Sequence, residues 1–313
     1  MKSEQILVIR LGALGDLILC FQAFHEIRKA HPDAEIALLT TPAFGGFAKL
    51  MPWFDRVIIG NRAPGWRLDH WGKLTAQVHS FRPTRVYDLQ GKLRQDILYA
   101  MLGGPFGPEW SGAAPGCSHP RLWPPEPGMH YTDFVEAQLR RANVPPQSAP
   151  DLSWLDAPLD GFDLPERYAV LIPGCAPDRE YKRWPAASYA ALAAWLKDKG
   201  IASVAVGTAA DAPMIAAIRA VAPDVIDFSS RTNLPQLAGI FRRAVAIVGN
   251  DTGPTHLAAA VGAPTLALMS DRVNPVWSAP KGTNAAMLQG TPLSSLSPDK
   301  VFLALTPLLD RRN

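Results

Sequence analysis

Residues 6–32 read ILVIRLGALGDLILCFQAFHEIRKAHP, and this stretch decides the fold. Its first four residues are apolar and mostly β-branched, which is typical of a short buried strand. After the turn LGALGD, apolar side chains recur at the spacing of one face of a helix. They are Leu17, Cys20, Phe21, Phe24 and Ile27. The stretch therefore predicts a strand, a glycine turn and one amphipathic helix.

The same alternation of strand and helix recurs along the chain. In the first half we predict strands at 34–40, 54–60 and 83–91, a loop at 103–128, a helix at 130–144 and a linker at 145–165. In the second half we predict strands at 168–174, 201–207, 224–229, 244–250 and 264–270, a helix at 184–200 and a last short helix at 297–313. Strands that alternate with helices predict parallel sheets covered on both faces.

We therefore expect an α/β protein with two doubly wound, Rossmann-like domains of parallel sheet that face each other across a cleft. A length of 313 residues suits two domains. The expected boundaries are 1–155 for the N-terminal domain, 156–297 for the C-terminal domain and 298–313 for a tail helix, which can pack back on the N-terminal domain.

Composition favours a protein of the reducing cytoplasm. We expect no signal peptide and no membrane span, because no apolar run approaches the ~18 residues that a span needs. The three cysteines, Cys20, Cys117 and Cys175, are too few and too scattered for a disulfide framework or a zinc cluster. The first 150 residues carry 16 Lys+Arg against 13 Asp+Glu. This excess fits either an anionic substrate or membrane surface, or ordinary surface charge.

The turn LGALGD carries two glycines, Gly12 and Gly15. Glycine lets the backbone turn sharply and approach a ligand closely. The Gly-x-x-Gly spacing is not that of a dinucleotide-binding turn, and no Gly-Lys-Ser/Thr follows to make a P-loop. Asp16 has two interpretations. It is either a carboxylate that satisfies free amides of the first helical turn, or a general base at the carboxyl edge of the sheet.

A second polar run, NDTGPTH, stands between a predicted strand and an apolar helix. With Gly253 as the N-cap, the amides of Thr255 and His256 point out of the helix end and form an anion site that suits a phosphate. Asp251 and Thr252 can cap the helix or contact a ligand. His256 can donate to the same anion, or it can have a purely structural role.

Cations and a carboxylate follow other strands of this half. Lys182 and Arg183 lie just before a helix start, where they oppose the helix dipole, and they either bind a diphosphate or extend into solvent. Asp211 follows the strand at 201–207 and can accept from ribose hydroxyls or cap a helix. No cluster of carboxylates or histidines has the spacing of metal ligands, so we expect no metal site.

Four segments resemble glycosyltransferase family 9, the ADP-heptose:lipopolysaccharide heptosyltransferases, and the resemblance covers essentially the whole chain. They are ILVIRLGALGDLIL at 6–19, VYDLQG at 86–91, PGCAPDREYKRWP at 173–185 and DTGPTHLAAAVGAP at 251–264. The resemblance implies a two-domain GT-B fold and an inverting, metal-independent sugar transfer without a cofactor. It also implies that the N-terminal domain binds the acceptor and the C-terminal domain the nucleotide sugar.

Site residues follow from the resemblance by position. Asp16 is implied as the catalytic base, with Gly12 and Gly15 in the acceptor-side loop. The implied donor-binding residues are Lys182 at the diphosphate, Asp211 at the ribose, Thr232 beside the adenine, and Asp251, Thr252, Gly253 and His256 around the sugar and phosphate.

The implied reaction moves a sugar, heptose from ADP-heptose, to the lipopolysaccharide core or a related anionic glycan or glycolipid of the cell envelope. We expect a cytoplasmic protein with peripheral contact to the cytoplasmic face of the inner membrane, and no nucleic-acid partner. The alternatives are a nucleotide-sugar epimerase and a non-catalytic family member that binds nucleotide sugar.

The chain departs from the family pattern in two places. Cys175-Ala176 stand where the family commonly carries a hydroxyl residue, so a side-chain contact to phosphate is missing or replaced by backbone amides. The basic acceptor segment of the family is only loosely recognisable. Its candidates are Arg62, Arg67, Lys92 and Arg94.

Overall fold

The computed structural model describes residues 4–60 and 68–310. The chain forms two compact units, Met1–Trp154 and Leu155–Asn313. Each unit is built on its own sheet and has its own apolar core. Arg62 and Arg67, two of the acceptor-binding candidates, lie outside the described residues.

Six parallel strands form the sheet of the first unit: β1 (Gln5–Ile9), β2 (Glu35–Thr40), β3 (Arg56–Ile59), β4 (Arg85–Asp88), β5 (Glu109–Gly112) and β6 (His119–Pro120). Their spatial order is β3-β2-β1-β4-β5-β6. The helices are α1 (Leu14–Ile18), α2 (Phe21–Ala30), α3 (Pro42–Ala48), α4 (Leu68–Phe81), α5 (Leu93–Met101) and α6 (Tyr131–Arg141). Residues 6–9 of β1 are fully buried, as expected of a central strand covered on both faces.

Two features of this unit differ from the sequence prediction. The single helix predicted after the glycine turn is divided into α1 and α2. The chain tightens between them, since the Cys20 amide donates to the Leu17 carbonyl, three residues back instead of four. The predicted loop at 103–128 contains β5 and β6, which are short strands at one side of the sheet. Surrounding glycines and prolines hide their pattern, although Trp110 of β5 is fully buried.

The second unit repeats the architecture with β7 (Tyr168–Ile172), β8 (Ala202–Ala205), β9 (Ile226–Asp227), β10 (Ala246–Asn250), β11 (Thr265–Ser270) and β12 (Ala285–Gly290). The order is β12-β11-β10-β7-β8-β9, and the strands pair in parallel. The helices are α7 (Ala186–Asp198), α8 (Ala212–Val221), α9 (Leu234–Arg243), α10 (Gly253–Ala260), α11 (Pro275–Ser278) and α12 (Pro298–Asp310). The two six-stranded parallel sheets confirm the predicted α/β fold.

Strand β12 is missed by the sequence prediction. It lies at the edge of the sheet, its sequence AAMLQG has no alternation of apolar and polar residues, and most of its side chains are at least partly exposed. Edge strands of this kind carry a weak hydrophobic signal because only part of each strand is covered.

No helix in the described ranges is long and apolar enough to cross a membrane.

The parallel strands bring the following loops to one edge of each sheet. Their carboxyl ends point the same way, and ligands of such folds bind outside these ends. In the first unit this edge carries Arg10 after β1 and Gln90 after β4. In the second unit it carries Lys182 after β7 and Asp251 after β10.

Helix α12 belongs to the core of the second unit. Its buried side chains pack among residues of α7 and of the central strands, and they are Val301, Leu305, Leu308 and Leu309. The apolar face of this helix is therefore used within its own unit. The expected packing of the tail on the N-terminal domain stays a prediction.

We expect α12 to be required for the stability of the second unit. Leu305 is fully buried, and Leu305→Ala leaves a cavity, so it should lower the free energy of unfolding by about 2–5 kcal/mol. Leu303 on the same helix is 78% exposed, and Leu303→Ala should change that free energy by less than about 0.5 kcal/mol. Urea denaturation followed by circular dichroism measures both. Equal effects of the two substitutions would contradict a core position for Leu305.

Candidate functional site

Asp16 lies in the first turn of α1, and both oxygens of its carboxylate have partners. Oδ2 accepts from the Ala13 amide at 2.8 Å, and Oδ1 lies 3.2 Å from Nη2 of Arg10. The capping interpretation of Asp16 is therefore observed. The side chain is nevertheless 45% exposed, whereas that of Arg10 is buried. Arg10 and the Ala13 amide thus hold the carboxylate in place, while its exposed part is accessible to a ligand.

Arg10, which the sequence interpretation did not single out, holds Asp16 in place. Its Nη1 donates to the Leu89 carbonyl at 2.5 Å, and its guanidinium lies 4.9 Å from the ring centre of Tyr131. The Tyr131 hydroxyl donates to the same carbonyl at 2.9 Å. The sequence does offer a signal for Arg10, because this cation directly follows a buried strand. A charge at such a position needs a partner, and Asp16 is six residues further on.

Asp88 organises the turn after β4. Its Oδ1 accepts from the amides of Gln90 and Gly91, both at 2.9 Å, and Gln90 Oε1 accepts from the Leu11 amide at 3.0 Å. The turns after β1 and β4 are thereby joined. Asp88 is fully buried, and its Oδ2 has no hydrogen-bond partner in the described part of the chain. Burial raises the pKa of Asp88 to about 6, against the opposing effect of the two amides and of Arg121.

The acceptor-side turn requires glycine at one of its two predicted positions. Gly12 has φ of +98°, and a Cβ added there would lie 2.2 Å from Cε2 of Phe44. Gly15 lies buried inside α1. The other acceptor candidates with described structure are Lys92, an exposed residue at the N-cap of α5, and Arg94, which is half-buried.

In the second unit, Lys182, Asp251 and His256 form one buried cluster. Lys182 Nζ lies 2.5 Å from Asp251 Oδ2, and His256 Nε2 lies 3.3 Å from Asp251 Oδ1. All three side chains are nearly inaccessible to solvent, so the alternative in which Lys182 extends into solvent is wrong. Burial alone would raise the pKa of Asp251. The hydrogen bond from His256 and the charge of Lys182 instead hold that pKa below its usual value.

The N-terminus of α10 lies beside this cluster. The helix begins at Gly253 with Thr252 as N-cap, so the expected N-cap is wrong by one residue. As a result the His256 amide donates to the Thr252 carbonyl at 3.1 Å and is not available to an anion. Within the described residues, the amides of Gly253 and Thr255 receive no partner, and neither does the buried Nδ1 of His256. The amides of Gly253 and Thr255, together with the helix dipole, favour an anion.

Thr252 and Arg183, the neighbours of Asp251 and Lys182 in the chain, make contacts of their own. Thr252 does not cap α10 with its side chain, and its hydroxyl donates to the Asn250 carbonyl at 3.3 Å. Arg183 has Nη1 3.9 Å from Glu180 Oε1. Of the two neighbouring cations, Lys182 and Arg183, it is Lys182 that forms the buried ion pair with Asp251.

Asn250 joins the loops around the cluster and was not predicted. Its Nδ2 donates to the carbonyls of Pro173 and Gly174, and its Oδ1 accepts from the Trp184 amide and the Tyr189 hydroxyl. Every hydrogen-bonding atom of this fully buried amide side chain has a partner. The end of β10 is therefore fixed to the segments on both sides of Lys182.

Asp211 and Thr232 occupy the loops after β8 and β9. Asp211 is buried, and its Oδ2 accepts from both the amide and the hydroxyl of Thr208 at 2.8 Å. Asp211 thus closes the turn in front of α8, which corresponds to the capping alternative. It also abuts Gly174, where an added Cβ would lie 2.4 Å from Asp211 Oδ1. Thr232 is partly buried and precedes Asn233, the N-cap of α9.

These residues form a row along the carboxyl edge of the second sheet. In the strand order β10-β7-β8-β9, Asp251 and His256 follow β10, Lys182 follows β7, Asp211 follows β8 and Thr232 follows β9. Neighbouring strands are ~4.8 Å apart, so the row extends over about 14 Å. Across the described ranges, no group of three or more His, Cys, Asp or Glu side chains is arranged to hold a metal ion.

Comparison with known proteins identifies relatives of this chain. Residues 134–292, about half of the chain, match the family model described as glycosyltransferase family 9 (heptosyltransferase). Lipooligosaccharide heptosyltransferase 2 of Haemophilus influenzae is 32% identical over 124 residues, which cover 37% of this chain and 36% of that protein. The match thus spans only about a third of that relative's length.

Two solved structures are similar over nearly the whole chain. E. coli ADP-heptose lps heptosyltransferase II has a TM-score of 0.77 and 22% identity, with 98% of this chain and 99% of that chain covered. A glycosyl transferase of family 9 from Veillonella parvula has a TM-score of 0.79 and 20% identity, with 99% of both chains covered. At these identities the similarity establishes the fold, which is that of GT-B glycosyltransferases.

The raised pKa of Asp88 predicts a pH-dependent effect of Asp88→Asn. The ordinary pKa of an aspartate is about 4, so the native state binds more protons than the unfolded state between about pH 4 and 6. The contribution of Asp88 to stability therefore falls as pH rises through this range. Asparagine keeps an oxygen for the two amides but carries no charge. Relative to the parent, the variant should gain on the order of 2 kcal/mol in free energy of unfolding between about pH 4.5 and 7.5.

Denaturant titrations of both proteins at the two pH values measure this gain. A stability difference that does not change with pH would show that Asp88 titrates near its ordinary value in the folded protein.

Proposed function

Because the chain belongs to glycosyltransferase family 9, we propose that it transfers a sugar from a nucleotide-diphosphate sugar to a hydroxyl of a glycan acceptor. The observation that carries this proposal is the row of groups at the edge of the second sheet. The polar loop after β10 and the buried Lys182 are proposed to bind the sugar and the diphosphate, and Asp211 and Thr232 the ribose and the base, of a nucleotide sugar.

The diphosphate is proposed to bind at the N-terminus of α10. The amides of Gly253 and Thr255, which have no acceptor among the described residues, lie there together with the dipole of the helix. Among the described residues the buried Nδ1 of His256 has no hydrogen-bond partner, and it can donate to a phosphate oxygen when both ring nitrogens carry a proton. Lys182 donates to both the carboxylate and the carbonyl of Asp251, and because an ammonium group carries three N–H donors, one is left for a phosphate oxygen. These groups support the binding of a doubly charged phosphate.

The leaving group is proposed to be stabilised without a metal ion. As the bond to the sugar breaks, negative charge grows on the diphosphate, and preorganised donors then lower the barrier more than mobile ones do. Lys182 and His256 are fixed by Asp251, so both are already in place. Asp251 itself is neutralised by Lys182 and is thereby a poor additional ligand for a cation. Asp211 and Thr232 are proposed for the ribose and the base.

In the first unit, Asp16 is proposed as the general base. Its exposed carboxylate takes a proton from the acceptor hydroxyl, and that oxygen attacks the anomeric carbon from the face opposite the diphosphate, with inversion. Arg10 orients the carboxylate through their 3.2 Å contact and is itself held by the Leu89 carbonyl and Tyr131.

The donor and acceptor are proposed from the names of the relatives. ADP-heptose is the proposed donor, and a lipopolysaccharide or lipooligosaccharide core is the proposed acceptor, at the cytoplasmic face of the inner membrane. Phosphate-bearing cores are anionic, which suits the basic excess of the first 150 residues. Cys175-Ala176 offers no hydroxyl to the diphosphate, so backbone amides of that loop are proposed to replace it.

Asp16→Asn tests the proposed base. The amide can still accept from the Ala13 N–H, but it cannot take a proton, so kcat should fall by about 10²–10⁴-fold. Binding of the donor in the second unit should be unchanged. Asp33→Asn, an exposed carboxylate of the same unit, is the matched control and should keep parental turnover.

Release of ADP from ADP-heptose in the presence of a deacylated lipooligosaccharide core measures turnover, and thermal melting checks the fold. Parental kcat in the Asp16 variant would exclude it as the base. Conversion of the donor to an isomeric nucleotide sugar without any acceptor would instead favour the epimerase alternative.

A further inference from the structure

Trp123 is a large aromatic side chain that is 70% exposed on the first unit. Its ring is not loose, because the guanidinium of Arg121 lies 5.6 Å from its centre and Phe134 meets it edge-to-face at 6.2 Å. Arg121 also lies 5.3 Å from the centre of the Phe134 ring. No described residue accepts a hydrogen bond from the Trp123 indole N–H.

Trp123 follows β6 and therefore lies at the same sheet edge as Asp16. Arg121 anchors this segment to that edge, since its amide donates to the Gly112 carbonyl at 2.9 Å and its Nη2 to the Gly91 carbonyl at 3.1 Å. Gly91 belongs to the turn that Asp88 holds. In the order β1-β4-β5-β6, three strand spacings, or about 14 Å, separate β1, which precedes Asp16, from β6, which precedes Trp123.

We propose that Trp123 is a stacking platform for a sugar ring of the acceptor, one that lies away from the ring carrying the reacting hydroxyl. This inference rests on the proposed function, because it assumes that the acceptor is a saccharide. One face of a pyranose ring presents C–H groups that pack on an aromatic surface, and its hydroxyls can accept from an indole N–H. Trp123 offers both an apolar face and an unused donor.

The surroundings of Trp123 favour an anionic saccharide over a lipid chain. Arg121 lies against the ring, and Arg141 donates from Nε to the Pro120 carbonyl at 2.8 Å, which places a second cation at this end of β6. Acidic or phosphorylated sugars match these charges. A ring fixed by two partners also loses little freedom on stacking, which is the property of aromatic side chains that bind rigid ligands.

Transfer kinetics with a deacylated lipooligosaccharide core test the proposal. Trp123→Ala should raise the KM for the core about tenfold, while kcat and the KM for ADP-heptose stay within about twofold of the parent. Trp123→Phe keeps a ring and should lose less. Phe106→Ala removes another exposed aromatic of the same unit, 97% exposed, and should change none of the three constants.

Nuclear magnetic resonance provides a second readout that does not depend on turnover. The indole N–H signal of Trp123 is identified by its loss in Trp123→Phe. This signal should shift when the deacylated core is added to the parent protein without the donor. An unchanged KM in Trp123→Ala, or an unshifted indole signal, would overturn the proposal. The assay is repeated with the acylated acceptor in phosphatidylglycerol vesicles. If Trp123→Ala raises the KM only for this membrane-bound acceptor, the contact is to lipid and the proposal is overturned. No transfer by the parent protein would refute the proposed function, and the indole titration would still decide the role of Trp123.

Discussion

The buried carboxylate of Asp251 is the charge on which the arrangement of the second unit depends. A buried ion without compensation is costly, so the chain must supply partners from the loops around it. Lys182, from the segment after β7, places Nζ 2.5 Å from Oδ2 of Asp251. His256, from α10, places Nε2 3.3 Å from Oδ1. Asn250 closes the same loops with four hydrogen bonds. The result is a cation and an imidazole held in advance at a helix N-terminus, which is the arrangement that stabilises developing negative charge best.

The first unit also contains a buried ion with a partner of opposite charge, but the signs of the two charges are reversed. Here the buried ion is the cation Arg10, and its partner Asp16 reaches solvent. Parallel strands place both pairs at the carboxyl edge of their own sheets, where the following loops meet. In each unit, therefore, a buried ion fixes the position of its partner at this edge of the sheet. Substitution of the buried member is expected to act through the geometry of its partner as well as through stability.

The sequence predicts well the features that depend on local pattern. The buried strands before Arg10 and Asp251 and the helix starts after them follow from apolar runs, glycines and prolines, and both sheets were expected from the alternation of elements. Contacts between distant segments could not be predicted in this way. No local pattern shows that Lys182 reaches Asp251, that Arg10 lies on Tyr131 or that Asp88 is buried with one oxygen unpartnered. Short strands such as β6, hidden among prolines, are missed for the related reason that their pairing is set by the rest of the sheet.

Calorimetric titration of ADP, GDP and UDP in the presence of EDTA tests the central claim most directly. The proposed diphosphate site of Lys182, His256 and the α10 amides predicts that ADP binds without a metal ion. The proposed donor, ADP-heptose, predicts that ADP binds more tightly than GDP or UDP. Lys182→Met should weaken ADP binding by about 10- to 100-fold, the effect of one charged hydrogen bond. Lys197→Met, at an exposed lysine of the same unit, should leave it unchanged. Strong binding of UDP without ADP, or parental ADP affinity in Lys182→Met, would contradict the account.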